Sequence, residues 1–261
     1  MVVADLHVHT TNSDGTLTLE EIPAAARAAD VRVVAVTDHD RLHPDLRTPV
    51  AHVDGVTLVS GLELRVESDA GRVDLLGYGA RRTDALTREL DRLQVNRVER
   101  ARAIVERCEG ETGVALDVAL EPGVGRPHIA RAVDESDAPY DYQGAFDHLI
   151  GNGGPCYVPR DLPTFETGVD LLADACGLVG LAHPLRYDDP AAALALTSEL
   201  GAVEYHYPYG HEVDHRPVER AIDAHGLVVT GGSDAHDRTL GRAGLDREEY
   251  RLFRNRVRLH P

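Results

Sequence analysis

Short apolar segments alternate with amphipathic ones along most of the chain. Seven apolar segments have the pattern of buried strands: 2–8, 31–37, 55–63, 72–78, 177–183, 201–206 and 226–234. Most intervening segments have the pattern of helices; in "TLEEIPAAARAAD", Thr18 stands in an N-cap position, with Glu20 and Glu21 in the first turn. Strands that alternate with helices predict a parallel sheet, and about seven such units predict a barrel rather than an open sheet.

The region 84–165 interrupts this alternation. It begins with a long charged helical pattern, "ALTRELDRLQVNRVERARAIVERCE", and continues with shorter ones around "RPHIARAVDE" and "YQGAFDHLI". None of these segments has the pattern of a strand. The sequence therefore predicts a barrel formed by residues 1–83 and 166–261, with residues 84–165 as a helical insertion.

The charge balance limits the partners that the chain can bind. There are 44 acidic and 27 basic residues, all of the latter arginine, and the formal net charge is −17. Such a surface repels polyanions and argues against extended binding along a nucleic acid. A small phosphorylated ligand is compatible with it if the site itself supplies positive charge. The same composition is typical of proteins solvated at high salt, where screening removes the repulsion between carboxylates.

Hydropathy and cysteine content predict a soluble cytoplasmic protein. No apolar run approaches the roughly 20 residues that span a bilayer, and the N-terminus "MVVADLHVHT" lacks the features of a signal peptide. The three cysteines, Cys108, Cys156 and Cys176, form no CxxC motif. We therefore expect neither a disulfide framework nor a thiolate metal site.

The first predicted strand ends in two histidines, within "DLHVHTTNSDGTLT" (5–18). Because residues i and i+2 of a strand point to the same face, His7 and His9 present two imidazoles side by side. This is a metal-ligand spacing, although HxH alone is weak evidence. Asp14 follows in the same loop.

Similar side chains follow other predicted strands, in "TDHD", "GLE", "AHP" and "GGSDAH", always at the carboxyl end. Barrel enzymes assemble their active sites at that end. Asp38 and Asp40 are expected to orient ligands or to cap the following turn. The full set of candidate metal ligands from all the strand ends is His7, His9, Asp14, His39, Glu63, His183, Asp234 and His236.

This ligand set predicts a centre of more than one metal ion. Imidazoles and carboxylates without thiolates suit Mn²⁺, Fe²⁺ or Zn²⁺, and eight or more ligands exceed what one ion can use. Two or three clustered ions can hold the oxygens of a phosphate ester, activate a water molecule and stabilise the leaving oxygen. They would also supply the positive charge that the acidic chain lacks.

The motifs "DLHVHTTNSDG", "VTDHD", "GLE", "LAHP" and "GGSDAH", in this order, resemble those of the PHP (polymerase and histidinol phosphatase) superfamily of metal-dependent phosphoesterases. The resemblance covers nearly the whole chain. It implies an α/β fold, a distorted (β/α)7 TIM-like barrel with a trinuclear centre of divalent ions, Mn²⁺ above all, at the strand ends. It implies a first metal on His7, His9, Glu63 and Asp234, a second on Asp14, His39 and His236, and catalytic roles for Glu63, Asp234 and His236.

Position 74 departs from the family pattern. The resemblance implies a third metal that Glu63 shares with His183 and with the residue at position 74. Many relatives carry histidine there, in a phrase like "VHLLGY", whereas this chain has "VDLLGYG". Asp74 is therefore a candidate ligand of the third metal.

The middle of the chain indicates a branch of the family. "GRPHIARAV" (125–133) and "GAFDHLIGNGGPCYVP" (144–159) resemble the PHP enzymes that are 3′,5′-nucleotide bisphosphate phosphatases and 5′-to-3′ exoribonucleases. The resemblance implies that the insertion helps to form the substrate pocket and that Arg126 and His128 contact the phosphate or nucleotide. Arg97 and Arg100 are further candidates, although a solvated ion-pair face also explains their helical spacing.

The other histidines carry weaker signals. His206 and His211, in "EYHYPYGH", follow the sixth predicted strand and are candidates for contact with ligand side chains or substrate. The rest have no partner motif and are expected on the surface or in packing: His43, His52, His148, His215, His225 and His260.

Three functions stay open at this point. The first is a phosphatase or exonuclease that acts on small phosphorylated nucleotides or on the 5′ end of short RNA. The second, a histidinol-phosphate phosphatase, would use the same metals but fits the "RPHIA" insertion less well. The third is a noncatalytic metal-binding accessory module, against which the near-complete ligand set argues. The sequence is silent on the oligomeric state.

Overall fold

The structure, a computed structural model, describes residues 1–257, and His260 lies outside them. Within the described residues one sheet contains eight strands: β1 (Ala4–Val8), β2 (Val33–Val36), β3 (Val50–Val53), β4 (Val56–Ser68), β5 (Gly71–Tyr78), β6 (Leu178–Leu181), β7 (Ala202–His206) and β8 (Val228–Gly231). The α-helices are α1 (Ile22–Ala28), α2 (Asp84–Thr112), α3 (Arg126–Asp134), α4 (Tyr142–Ala145), α5 (Phe165–Ala175), α6 (Pro190–Ala195), α7 (Arg216–His225) and α8 (Arg247–Val257). A π-helical turn, Phe146–Ile150, follows α4, and 3₁₀ turns occur at Pro184–Arg186 and Leu196–Glu199.

The sheet is mixed rather than parallel throughout. Its strand order is β1-β2-β4-β5-β6-β7-β8, with β3 on β4. The pairs β1–β2, β2–β4, β6–β7 and β7–β8 are parallel. Strand β5 is antiparallel to both β4 and β6. The prediction of a fully parallel sheet is therefore wrong at β5. The physical reason is the connection: only residues 69 and 70 separate β4 from β5, and a turn of that length allows an antiparallel hairpin but no crossover helix.

The sheet curls so that the chain after β8 returns to β1. Val8 forms an isolated parallel bridge with Ala235, and the backbone N–H of Val3 donates to the carbonyl of Leu245 at 2.8 Å. The fold is thus a mixed α/β fold with a curled sheet. The curl matters for function because it brings the segments that follow β1, β2, β6 and β8 toward one another.

Strands β1, β2 and β6 are covered on both faces. Every residue of β1, β2 and β6 is buried, as expected for near-continuous apolar strands. One cluster packs Leu6, Val59 and Leu76 with Phe253 of α8, whose ring meets Tyr78 edge-on at 5.2 Å between centroids. A second cluster lies on α1 and contains Leu17, Ile22, Val34, Val36, Leu58 and Leu240.

Two local predictions are corrected by the structure. Helix α1 begins at Ile22 with Glu21 at its N-cap, so the assignment of Thr18 as the N-cap is wrong. Pro23 suits the first turn of a helix, and the carboxylate of Glu21 accepts instead from the backbone N–H of Thr18 at 3.0 Å. The short strand β3 was not predicted, since its partly exposed sequence lacks a continuous apolar run.

The chain divides into two compact units. One consists of Met1–Arg88 and the chain from Leu162 onward, and the other of Glu89–Asp161, so that the division falls within α2. The second unit is helical and has its own core, which includes Ile104, Cys108, Ile129, Val133, Leu149 and Ile150. Among the described residues, no helix has the length and apolar character required to cross a membrane.

Candidate metal centre

The sequence-predicted ligands meet at the ends of the strands. His7 lies in β1 and His9 directly after it, with ring centroids 5.2 Å apart. Glu63 lies within the long strand β4, but it is three residues beyond Ser60, the last residue of β4 that pairs with β2. An isolated parallel bridge joins Glu63 to His39, so its carboxylate is level with the other strand ends.

An inner cluster is formed by His7, His9, Glu63 and Asp234. The Nε2 atom of His7 lies 3.5 Å from Oε1 of Glu63 and 3.5 Å from Oδ1 of Asp234. The Nε2 atom of His9 lies 3.1 Å from the same Asp234 oxygen and 3.5 Å from Oε2 of Glu63. Two imidazole nitrogens and two carboxylates thus converge on one point, as ligands of a single ion do.

An outer cluster is formed by His9, Asp14, His39 and His236, whose candidate ligand atoms all lie within 4.8 Å of one another. Asp14 is 3.8 Å from Nε2 of His39 and 3.4 Å from Nε2 of His236. His39 Nδ1 is 2.7 Å from Oε2 of Glu63, which connects the outer cluster to the inner one.

A third cluster is formed by Glu63, Asp74 and His183. The Nε2 atom of His183 lies 3.0 Å from Oε1 of Glu63 and 3.7 Å from Oδ2 of Asp74. Asp74 differs from the other candidates because one guanidinium occupies both of its carboxylate oxygens. Arg65 donates to both of its carboxylate oxygens, from Nε at 2.7 Å and from Nη2 at 2.5 Å.

The inner and outer clusters fit divalent metal ions. Within the described chain, several of their buried nitrogen and oxygen atoms make no hydrogen bond: His7 Nε2, His9 Nδ1 and Nε2, and Asp14 Oδ1. Buried polar atoms without partners are unfavourable and rare. Coordination of metal ions would satisfy them.

The electrostatics favour the metal-binding forms of Glu63, Asp234 and His9. Burial raises the pKa of Glu63, but His39 and His7 hold it well below its ordinary value. Asp234 behaves similarly: His7 and His9 outweigh burial and lower its pKa. Burial, together with His39 and His236, lowers the pKa of His9. Charged carboxylates and a neutral imidazole are the forms that bind metal ions.

Glu204 supports the centre from β7, and the sequence analysis did not identify it. One carboxylate oxygen lies 3.0 Å from Nδ1 of His7, and the other accepts from the backbone N–H of His183 at 2.8 Å. A carboxylate on Nδ1 leaves Nε2 of His7 available for a metal ion. The available signal was a charged residue inside the otherwise apolar strand segment "GAVEYH".

Asp38 orders the loop after β1. Its carboxylate accepts from the backbone N–H of Thr10 at 2.7 Å and from the hydroxyls of Thr10 and Ser13 at 2.8 and 2.7 Å. Asp40 accepts from the backbone N–H of Arg65 at 3.1 Å. Asp38 thus orders the loop that carries Asp14, a candidate ligand, whereas Asp40 contacts the backbone of β4.

Two candidate ligands have backbone conformations that L-residues rarely adopt. The φ angle is 29° at His183 and 49° at Asp234. Such positions persist where the surroundings impose them. Next to Asp234, Ser233 donates from its backbone N–H to the buried Asp5 at 2.9 Å, and its hydroxyl also donates to Asp5.

Arg186 and Tyr207 add polar groups beside Asp234 that the sequence analysis did not identify. Arg186 Nη1 donates to Oδ2 of Asp234 at 3.2 Å and to the hydroxyl of Tyr207 at 2.7 Å. The Arg186 side chain is about half exposed, and so this guanidinium is accessible from solvent.

The predicted substrate-binding side chains lie together in the helical unit. Arg126 begins α3 and donates to the carbonyl of Ile150 at 3.3 Å, while Nδ1 of His128 accepts from the backbone N–H of Gly125 at 3.1 Å. Burial and the nearby charges of Arg126 and Arg160 lower the pKa of Arg100.

Arg97 in the same unit is buried, so the alternative of a solvated ion-pair face is wrong for it. Its guanidinium donates to the carbonyl of Val124 at 3.3 Å. Of the two weaker histidine candidates, His206 pairs with Glu249 at 2.7 Å and His211 is exposed.

Comparison with known proteins relates the chain to one family. The PHP domain matches residues 5–148. A 3′,5′-nucleoside bisphosphate phosphatase from Chromobacterium violaceum is 30% identical over 265 residues, covering 94% of this chain and 90% of the relative. A 5′-3′ exoribonuclease from Escherichia coli is 31% identical over 252 residues, covering 90% of this chain and 85% of the relative. A solved structure from Bifidobacterium adolescentis, of a protein predicted to be a metal-dependent phosphoesterase, shares the fold with a TM-score of 0.80 at 22% identity, over 97% of this chain and 96% of that one.

Proposed function

The chain belongs to the PHP domain family, and on that basis we propose that it is a metal-dependent phosphoesterase for small nucleotides or short RNA ends. Its substrates are 3′,5′-bisphosphates or the 5′ ends of short RNA. The observation that carries the proposal is the convergence of the inner and outer clusters, several of whose buried ligand atoms make no hydrogen bond in the described chain. The curled sheet is proposed to be a distorted (β/α)7 barrel, which the bridge between Val8 and Ala235 supports.

Two separate groups of residues would bind the two ions. His7, His9, Glu63 and Asp234 would hold one ion, and Asp14, His39 and His236 would hold another, with Mn²⁺ favoured by the share of carboxylates. Bound ions supply Lewis acidity toward the phosphate oxygens and toward a water molecule. Glu63 contacts side chains of both clusters and so fixes their separation.

Of the proposed catalytic residues Glu63, Asp234 and His236, only His236 has a substantially exposed side chain. The side chain of His236 is 38% exposed, whereas those of His7 and His9 are fully buried. Burial lowers the pKa of His236, but the carboxylate of Asp14 more than compensates and raises it. As a ligand of the second ion, His236 would bind in its neutral form, so its catalytic role would be to hold that ion at the exposed side of the centre.

Arg97, Arg100, Arg126 and His128 of the helical unit are proposed to contact the phosphate or nucleotide of the substrate. Burial, together with the nearby charges of Arg126, Arg160 and Arg97, lowers the pKa of Arg100 to about 9. An anion relieves the repulsion between such groups and accepts charge-assisted hydrogen bonds from them. Arg126 and His128 lie at the N-terminus of α3, which also favours an anion.

Phosphate release tests the proposal directly. The metal-free protein is reconstituted with Mn²⁺ and given adenosine 3′,5′-bisphosphate, 5′-phosphorylated short RNA or histidinol phosphate. We expect turnover of the nucleotide or the RNA, little turnover of histidinol phosphate and none without metal. Preference for histidinol phosphate would replace the proposed substrate class. The absence of turnover on all three, with metal bound, would indicate a noncatalytic module.

A further inference from the structure

The antiparallel pairing of β4 with β5 places the ion pair of Arg65 and Asp74 at the edge of the metal centre. Arg65 and Asp74 are direct cross-strand partners in this antiparallel ladder. Arg65 is two residues from Glu63 on the same strand, so both side chains project to the same face of the sheet. The register therefore places a guanidinium beside the carboxylate that joins the metal clusters.

The ion pair is tightly held. Arg65 grips Asp74 through two parallel hydrogen bonds, which is the strongest geometry for a guanidinium and a carboxylate. Asp74 is fully buried, and its backbone N–H donates to the hydroxyl of Tyr187 at 2.9 Å. The Asp74 carboxylate and Nε2 of His183 are 3.7 Å apart.

This arrangement does not fit a third divalent ion on Asp74. Both oxygens of the carboxylate already accept hydrogen bonds from a cation. A divalent ion there would lie within a few ångströms of the guanidinium, where like charges repel strongly away from bulk water. Displacing the arginine instead would separate a partly buried ion pair, which is also unfavourable.

We propose that Arg65 takes the place of a third metal ion, so that the centre holds two ions and one guanidinium, with Asp74 as the anchor of Arg65. A guanidinium has five N–H groups, and only Nε and Nη2 of Arg65 are used by Asp74. Its Nη1 atom donates to no residue among 1–257, and the side chain is 35% exposed. These N–H groups are available to a phosphate oxygen. This role rests on the proposed phosphoesterase function.

Metal stoichiometry tests the exclusion of the third ion without reference to activity. Each protein is stripped with a chelator, reconstituted with excess Mn²⁺, desalted and analysed for manganese per chain. We expect two ions for the wild type and for Arg65→Lys, which keeps the charge. Arg65→Met leaves Asp74 without its cation next to Glu63 and His183 and should bind three. Three ions in the wild type, or two in a folded Arg65→Met variant, would overturn the proposal.

Phosphate affinity tests the contact with substrate. The double variant Arg65→Met/Asp74→Leu removes both charges together, so that no unpaired carboxylate is left to recruit an ion. With two Mn²⁺ bound, its affinity for inorganic phosphate, measured by calorimetry, should fall about tenfold to a hundredfold, as for loss of a charge-assisted hydrogen bond. The matched control is Arg72→Met, an arginine of the same hairpin that pairs with Glu67 and should leave phosphate affinity unchanged.

The two proposals fail in different ways. Unchanged phosphate affinity in the double variant would overturn the role of Arg65 even if the enzyme hydrolyses nucleotides. If the stoichiometry and affinity results hold while no phosphate ester is turned over, Arg65 still replaces the ion and only the phosphoesterase function fails.

Discussion

Glu63 is the residue on which the candidate ligands depend most. One of its oxygens lies near His7 and His183 and the other near His9 and His39. A carboxylate shared in this way sets both the spacing and the charge of the ions that it joins.

Glu63→Gln should therefore lower phosphate release by at least about a hundredfold, because the amide keeps the shape of the side chain but removes its negative charge. The Mn²⁺ content after reconstitution should also fall. Glu67→Gln, an exposed glutamate of the same strand, is the control and should leave both quantities unchanged. Wild-type turnover by Glu63→Gln would show that the clusters do not act through this carboxylate.

Glu204 gives a second test at the scale of single residues. It contacts no candidate ion position directly but accepts hydrogen bonds from His7 and from the backbone of His183. Glu204→Gln turns one acceptor into a donor, and we expect a 10- to 100-fold loss of Mn²⁺ affinity. A Mn²⁺ titration of the metal-free protein measures this loss. Glu219→Gln on α7, whose carboxylate accepts from the hydroxyl of Tyr205 at 3.0 Å, should bind Mn²⁺ as the wild type does.

The sequence analysis identified the histidines of the centre more completely than the residues that position the centre. His7, His9, His39 and His183 stand at or just after the ends of apolar runs, where local pattern alone indicates their position. Glu204 and Arg65 act through partners far away in the chain or across a strand pair. Such contacts depend on register and topology, which the pattern of a single segment does not contain.

At the scale of elements, the loop between β1 and α1 presents Asp14 to the outer cluster. Asp38, which follows β2, holds this loop by accepting from Thr10, Asn12 and Ser13. The carboxylate is fully buried, so these donors have no water to replace it. The position of Asp14 thus depends on a neighbouring strand.

Asp38→Ala should destabilise the protein by about 2 to 4 kcal/mol, since it leaves several buried donors without an acceptor. Urea unfolding of the metal-free protein measures this loss. The loop should also hold Asp14 less firmly, and so the affinity for the second Mn²⁺ should fall more than that for the first. Asp45→Ala, an exposed aspartate a few residues further along the chain, serves as the control. Unchanged stability in Asp38→Ala would show that the loop orders itself.

The elements themselves were predictable to different degrees. Helix α2 coincides closely with its periodic segment, because amphipathic periodicity is a property of the segment alone. The direction of β5 was not predictable from its apolar pattern, which is the same for parallel and antiparallel strands. The short turn before it was the only local signal.

At the scale of the whole molecule, net charge is the dominant feature. The formal charge of −17 comes with no lysine, so the folded chain keeps many carboxylates close together. Repulsion between like charges destabilises the compact state relative to the unfolded chain. Arginine side chains reduce this repulsion locally, as in the ion pairs of Arg92 with Glu89 and Asp161.

Salt should therefore stabilise this protein by screening. The Debye length falls from about 10 Å at 0.1 M salt to about 3 Å at 1 M, so most of the gain in Tm between 0 and 2 M KCl should occur below about 1 M. A gain that rises evenly over the whole range would instead indicate general exclusion of salt from the surface. Thermal unfolding of the Mn²⁺-loaded protein distinguishes the two. The triple variant Asp91→Asn/Glu106→Gln/Glu111→Gln removes three exposed carboxylates from α2 and should reduce the KCl dependence while raising Tm at low salt. An equal or steeper KCl dependence in that variant would exclude carboxylate repulsion as the cause.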